Sequence, residues 1–308
     1  MQLLHESTVL PDEIDSLGHM NVRYYIARME AANQRLLNEV GAHKAASTRN
    51  QRVDTYTRFR HEQFEGATLH TYGGVLAITE GGLRSYVEIR NPETEQLAAS
   101  FIVTTTPMDV DNRAPLPLTS ATVPTSLAIE IPDYAAPRTL ELGPSKQNVS
   151  LAELDDLIPE VESGGMMSGK REATVEAGDI DGSGWLRADL ELMFLPFAKL
   201  AASEQGTQGP PVFTTPDGKR VGWAVMETRT QNFGQVQLGD ELAYFSADID
   251  LQAKSRISRR WAFNRHSGAL LGLSDTVGVC IDLDARRAIP WPEDLRALIE
   301  EHMQPQLA

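Results

Sequence analysis

At 308 residues, with 41% apolar and 23% charged residues, the chain is long enough for two ordinary domains and has the composition of a soluble globular protein. Its 28 basic and 43 acidic residues give a formal net charge of −15, which argues against non-specific binding to nucleic acid or to an anionic membrane. One cysteine, Cys280, excludes an internal disulfide and a thiolate metal cluster within one chain, and its apolar setting, VGVCIDL, marks it for core packing rather than for nucleophilic chemistry.

The chain opens on an extended segment that ends at Val9-Leu10-Pro11 and gives way to a polar turn, Asp15-Ser16-Leu17-Gly18-His19-Met20-Asn21. An amphipathic helix follows. Val22, Tyr25, Ile26, Met29, Leu36, Leu37 and Val40 recur at three- and four-residue steps, so one face must be buried, and Gly41 stands where such a helix stops. Strand-like runs come next at 52–59, 68–79, 83–90 and 97–106, with Gly81-Gly82 and Asn91-Pro92-Glu93-Thr94 as hairpin turns. Residues 118–165 begin rich in Pro, Ser and Thr and read as a connector, within which Ser150 and Glu153 form a capping box opening a short helix.

The second half then repeats the first. Residues 175–187 align with 9–21, placing Asp181 on Asp15 and Gly184 on Gly18, and Leu186, Leu190, Met193, Phe194, Phe197 and Ala201 mark a second apolar helical face interrupted by Pro196. Strand-like runs at 221–230, 241–251, 256–264 and 269–281 follow, Asn264 falls where Asn91 does, and residues 292–302 form a terminal helix. The expected organisation is a unit at 1–117, a connector at 118–165 and a second unit at 166–308, each unit being strand, helix, four strands. The copies are not equivalent: Trp185 replaces His19 and Arg187 replaces Asn21, and all four tryptophans lie in the second half.

A helix start leaves N–H groups unsatisfied and carries partial positive charge, which suits an anionic oxygen or a polarised carbonyl. Asp15 just before that pole, with His19 and Asn21 beside it, supplies a carboxylate, an imidazole and an amide at one point, enough for acyl transfer. Each residue also has a structural reading: Asp15 as a helix-start acid, His19 as a turn-capping donor and Asn21 as the N-cap. Glu30 is expected in an ion pair. Asp179, Asp181 and Ser183 imitate the start of a calcium loop, but its twelfth position is Leu190. No phosphate loop, nucleophile elbow or dinucleotide fingerprint is present, and the other histidines have no metal-ligand spacing, so no cofactor and no metal are expected.

The string Asp15-x-x-Gly18-His19-x-Asn21 leading into a long helix resembles the acyl-CoA thioesterases of the hotdog-fold superfamily, the 4-hydroxybenzoyl-CoA thioesterase-like branch. The resemblance implies an α+β fold of two tandem hotdog units, each a long helix wrapped by a curved antiparallel sheet. It further implies hydrolysis of a small-molecule acyl-CoA, coenzyme A entering as part of the substrate, with Asp15 as base or nucleophile and His19 and Asn21 as its helpers. Gly18, Val22, Tyr25 and Asp181 are then expected substrate contacts, Asp181 being the counterpart of Asp15 in the second copy. An acyl-carrier-protein thioesterase and a non-catalytic acyl-CoA-binding protein are the alternatives. Coenzyme A is anionic, so a basic cluster is needed; Arg58 with Arg60, or Arg256, Arg259 and Arg260, are the candidates, solvent-exposed strand charges being the competing reading. Expected assemblies are a monomer of the double unit or a homodimer. With no apolar run of membrane-spanning length and no signal-like N-terminus, the expected location is cytoplasmic and no membrane partner is expected.

Overall fold

The computed structural model describes residues 1–15, 17–41, 48–79, 81–118, 122–143, 149–160, 168–187, 190–196, 199 and 212–308. The chain divides into two compact units, Met1–Arg138 and Thr139–Ala308. The first contains β1 (Gln2–Thr8), α1 (Val22–Glu39), β2 (Thr48–Phe59), β3 (Thr68–Thr79), β4 (Gly82–Asn91) and β5 (Gln96–Asp109). Its strands form an antiparallel sheet in the order β1-β3-β4-β5-β2. One face of that sheet packs on α1, where Tyr25, Met29, Leu36 and Leu37 meet Leu69, Val87, Ile89 and Phe101 in one buried cluster. Burying side chains of this size contributes about 1.5–3 kcal/mol each, so this seam fixes where α1, and hence the turn before it, must lie. Near its centre the buried Asn33 is satisfied on both sides, donating to Thr105 Oγ1 at 2.8 Å and accepting from Ser85 Oγ at 2.7 Å.

The helix begins and ends where the sequence signals it. Asn21 is the N-cap, its Oδ1 accepting from the Arg23 N–H at 3.1 Å, and Gly41 follows the C-cap Val40 with φ +76. The β3–β4 hairpin needs Gly82 itself: at φ +126 an added Cβ would lie 2.2 Å from the Thr105 carbonyl oxygen.

The second unit contains α2 (Leu151–Leu157), β6 (Gly169–Thr174), β7 (Phe213–Thr214), β8 (Arg220–Asn232), β9 (Glu241–Leu251), β10 (Ser255–Asn264), β11 (Leu270–Asp282), β12 (Arg287–Ala288) and α3 (Glu293–His302). Its sheet runs β6-β9-β10-β11-β8, the order of the first unit's sheet, with β7 and β12 as short additions on β8 and β11. Matching details extend to the turns. Asn91 Oδ1 accepts from the Glu93 and Thr94 N–H groups, and Asn264 Oδ1 from those of His266 and Ser267. Where α1 stands in the first unit, the second begins with a 3-10 turn at Leu192–Phe194. Leu186 and Leu190 are half-buried there and Met193 is buried, whereas the Phe194 side chain, Phe197 and Ala201 lie outside the described residues.

In both units the second face of the sheet is covered as well. On the first, residues 134–136 cover it, the Tyr134 hydroxyl donating to the buried Glu88 at 2.8 Å, while residues 127–129 bond alongside β3 at Val75 and Leu127 joins the core under α1. On the second, Leu154 and Ile158 and the C-terminal Leu307 pack against Phe245, Trp261 and Phe263. Ser150 caps α2 in the expected capping box.

The covering layers take Arg58, Arg256 and Arg260 into the interior, against the solvent-exposed reading, and leave Arg60 and Arg259 half-buried. Arg58 is buried and donates to the Tyr134 and Ala136 carbonyls, and Arg60 donates to Tyr134 O. Arg256 is buried against Asp248 at 2.9 Å with its guanidinium 4.7 Å from the Trp223 ring centre, and Arg259 pairs with Asp275 at 2.7 Å. Arg260 is wholly interior, and burial pulls its guanidinium down to about 10. These side chains hold the covering layers and the core. Among the described residues, no helix is long and apolar enough to cross a membrane.

Candidate active site

The first turn is a tightly bonded loop. Ile14 and Met20 form an antiparallel bridge, the Asp15 N–H donates to His19 O at 3.0 Å, and the Gly18 N–H returns to Asp15 O at 3.0 Å. Closing so short a loop requires left-handed backbone at Gly18, whose φ is +80. Asp15 Oδ1 accepts from the Leu17 N–H at 2.9 Å, which turns Oδ2 toward His19 Nδ1, 3.7 Å away. The Asp15 side chain is 8% exposed and that of His19 16%, so a carboxylate and an imidazole sit together at the edge of the interior, reachable but largely dry.

Behind them an acid–base pair fixes the turn to the fold. Arg28 of α1 is buried and donates to both carboxylate oxygens of Glu13, to Ser7 Oγ and to Thr8 O. Glu13 in turn accepts the Leu10 N–H on its side chain and the Asn21 N–H on its backbone. Asn21 is thereby held as helix cap. The next N–H, that of Val22, occupies the first helical position, where no intrahelical acceptor exists. Tyr25 lies one turn further on, stacked edge-on to Phe59 at 5.6 Å with its hydroxyl 3.4 Å from His61 O. Burial pushes its phenol up, so it serves as a neutral donor.

A residue the sequence did not flag completes the cluster. Glu62, in the loop after β2, places Oε1 3.5 Å from His19 Nε2, so the imidazole lies between Asp15 on one nitrogen and Glu62 on the other. The loop is bonded to the turn by the Met20 N–H, which donates to Gln63 O at 2.7 Å. Asp15, Gly18, His19, Asn21, Val22 and Tyr25 thus gather at the start of α1, whereas Asp181 belongs to the corresponding turn of the second unit.

That second turn has the same backbone bonds. Asp181 N–H donates to Trp185 O, Gly184 N–H to Asp181 O, and Arg187 N–H to Asp179 O, with Gly184 at φ +76. The acid–base support recurs too, with Asp179 paired to Lys199 at 2.8 Å and accepting the Glu176 N–H. The groups that carry chemistry differ. Asp181 Oδ1 accepts from the Ser183 N–H, the Ser183 hydroxyl and the Trp185 N–H, and the position of the imidazole is taken by the buried indole of Trp185. Counting back from the paired bonds Gly66 N–H to Val9 O and Gly239 N–H to Val175 O, Glu62 corresponds to Gln235. Histidine, cap asparagine and glutamate are therefore all replaced in one copy. Among the described residues no cluster of three metal-ligating side chains occurs.

Residues 9–133 match the sequence model of the thioesterase-like superfamily. No protein with a curated description is significantly similar to the chain. Among solved structures, an acyl-ACP thioesterase from Bacteroides thetaiotaomicron is similar at 11% identity over 89% of this chain and 96% of that one, with a TM-score of 0.59. A 12:0-ACP thioesterase from Umbellularia californica is similar at 9% identity over 90% of this chain and 93% of that one, with a TM-score of 0.61. These likenesses span both units and concern the fold, while the family match covers the first unit and its turn. The first unit thus carries a match to the thioesterase-like superfamily, and the whole chain is an α+β protein with the hotdog arrangement in tandem.

Proposed function

We propose that the chain hydrolyses an acyl-CoA thioester at the turn of its first unit. The observation that carries this reading is the contrast between the copies: two turns with the same backbone bonding, of which one presents Asp15, His19, Asn21 and Glu62 and the other Asp181, Trp185, Arg187 and Gln235. The fold closes such a turn without the imidazole or the second carboxylate, so in the first unit those groups serve something other than folding.

In this mechanism the thioester carbonyl oxygen docks at the start of α1, where the Val22 N–H and the helix dipole stabilise developing negative charge. Asp15 Oδ2 removes a proton from water as its oxygen attacks the carbonyl carbon. The tetrahedral adduct collapses, the C–S bond breaks, and the thiolate takes the proton back from Asp15, giving free acid and thiol. His19, flanked by Asp15 and Glu62, orients the water, and Asn21 keeps the helix start in register. Coenzyme A is the favoured carrier because a chain of net charge −15 repels a large acidic carrier protein over a wide surface.

The test is thiol release from a panel of short, branched, aromatic and long-chain acyl-CoAs, with the matching acyl-carrier-protein esters alongside. Asp15→Ala is expected to lower kcat about a hundredfold or more, the scale of a lost general base, while Asp181→Ala retains wild-type turnover. Equal losses in both variants would contradict a single working site, and turnover of carrier-protein esters alone would replace coenzyme A as the carrier.

A further inference from the structure

The loop that presents Glu62 is braced on both sides by one side chain. Gln63 is 2% exposed. Its Nε2 donates to His61 O at 3.3 Å, an oxygen that also receives the Tyr25 hydroxyl, and its own carbonyl accepts the Met20 N–H at 2.7 Å. The carbonyls of the residues on either side of Glu62 are therefore both anchored, that of Gln63 directly to the turn that bears His19. Gln63 is itself held from across the sheet, its Oε1 accepting from Asn91 Nδ2 at 3.1 Å at the end of β4. Asn91 has a second task, its Oδ1 accepting the Glu93 and Thr94 N–H groups of the β4–β5 hairpin.

The second unit separates these two tasks. Asn264 keeps the hairpin bonds, but the residue corresponding to Gln63 is Val236, which is buried in an apolar cluster. A buried amide–amide hydrogen bond adds only about 1 kcal/mol net, and replacing both partners by apolar groups is often neutral. Folding therefore does not require the amide here. The amide is present in the copy that has Glu62 opposite His19, and absent from the copy that has Gln235 and Trp185.

We infer that Gln63 and Asn91 form a positioning pair that holds Glu62 against His19. This rests on the proposed hydrolysis at the same turn. Neither amide touches the substrate; they act through Glu62, by fixing the backbone on which its short reach to the imidazole depends. A displacement of about 1 Å at a reacting group is enough to cost up to a hundredfold in rate.

The experiment uses the full chain and compares wild type with Gln63→Val, which copies the other repeat at that position, and Asn91→Asp, which keeps the Oδ1 acceptor for the hairpin but replaces the donor to Gln63 by a carboxylate oxygen. Asp15→Ala and Glu62→Gln are measured in parallel, and each variant is characterised by kcat, KM and Tm. Gln63→Val and Asn91→Asp are each expected to lower kcat roughly ten- to hundredfold, with KM close to wild type and Tm lowered, because each leaves one buried partner unpaired. Adding either change to Glu62→Gln should cause no further loss, since both act through that carboxylate. Unchanged kcat in Gln63→Val and Asn91→Asp while Asp15→Ala is inactive overturns the positioning role and leaves the hydrolase reading intact. Losses that add fully to Glu62→Gln overturn it in favour of a purely structural pair. Full activity in Asp15→Ala overturns the hydrolase reading and this inference together.

Discussion

Asp15 and Asp181 show how far neighbours decide what a side chain does. Both lie in the same turn, yet one has a carboxylate oxygen facing an imidazole and the other has an oxygen tied to three donors of its own loop. The same reasoning applies to the lone thiol. Cys280 is fully buried on β11 beside Trp223 and Trp291, and burial pushes the thiol up to about 11, with the Arg256 charge pulling weakly the other way. Because the thiolate is the reactive form, native protein is expected to resist a disulfide reagent at pH 8 and to release one equivalent of chromophore only after denaturation. Rapid labelling of the native protein would show that the site opens to solvent. The sequence placed Cys280 in a core from its apolar neighbours, and the turn residues from their spacing, because both are local patterns. Glu62 and Gln63 carried no such signal: they reach His19 and Asn91 only after the chain has passed through α1 and the strand pairings, contacts that no short window contains.

At the level of elements, periodicity served well where one face is apolar and the other wet, as in α1, or where a run alternates, as at the start of β3. It failed for the strand arginines because both faces of each sheet are covered, so an outward-pointing charge meets a second protein layer rather than water. How such a layer is fastened leads to a measurable pH dependence. Asp155 on α2 pairs with Lys170 of β6 at 2.7 Å and with Arg265 at 2.8 Å, and the hydrogen bond from Lys170 foremost lowers its carboxyl below the ordinary range, with Arg265 adding to the effect. A carboxyl depressed in the folded state contributes stability that is present above its unfolded value of about 3.9 and lost as pH falls through the folded value. Asp155→Asn should therefore lower Tm slightly at pH 7, by the modest amount expected of a part-exposed pair, and the difference from wild type should shrink as pH falls below the ordinary carboxyl range and vanish below the depressed folded value. A difference that persists in acid would place the contribution in packing rather than in charge.

At the scale of the whole molecule the governing quantity is the net charge of −15. An acyl-CoA carries several negative charges, so its approach runs against the field of the protein unless a local group of cations reverses it. The arginines best placed by sequence to do so are engaged elsewhere: Arg58 and Arg60 donate to the backbone of the covering segment, and Arg256 and Arg259 are ion-paired to Asp248 and Asp275. Repulsion between charges beyond a Debye length of about 10 Å is screened at 0.1 M salt. It follows that kcat/KM for an acyl-CoA should rise severalfold between about 10 and 200 mM salt, the reverse of an electrostatically steered encounter. The same acyl group on an uncharged N-acetylcysteamine thiol should show no such rise, which separates a field effect on the substrate from a salt effect on the enzyme. A fall in kcat/KM for the coenzyme A ester alone would instead reveal a cationic approach to the site, and the exposed Arg23, one residue into α1, would be the first side chain to replace.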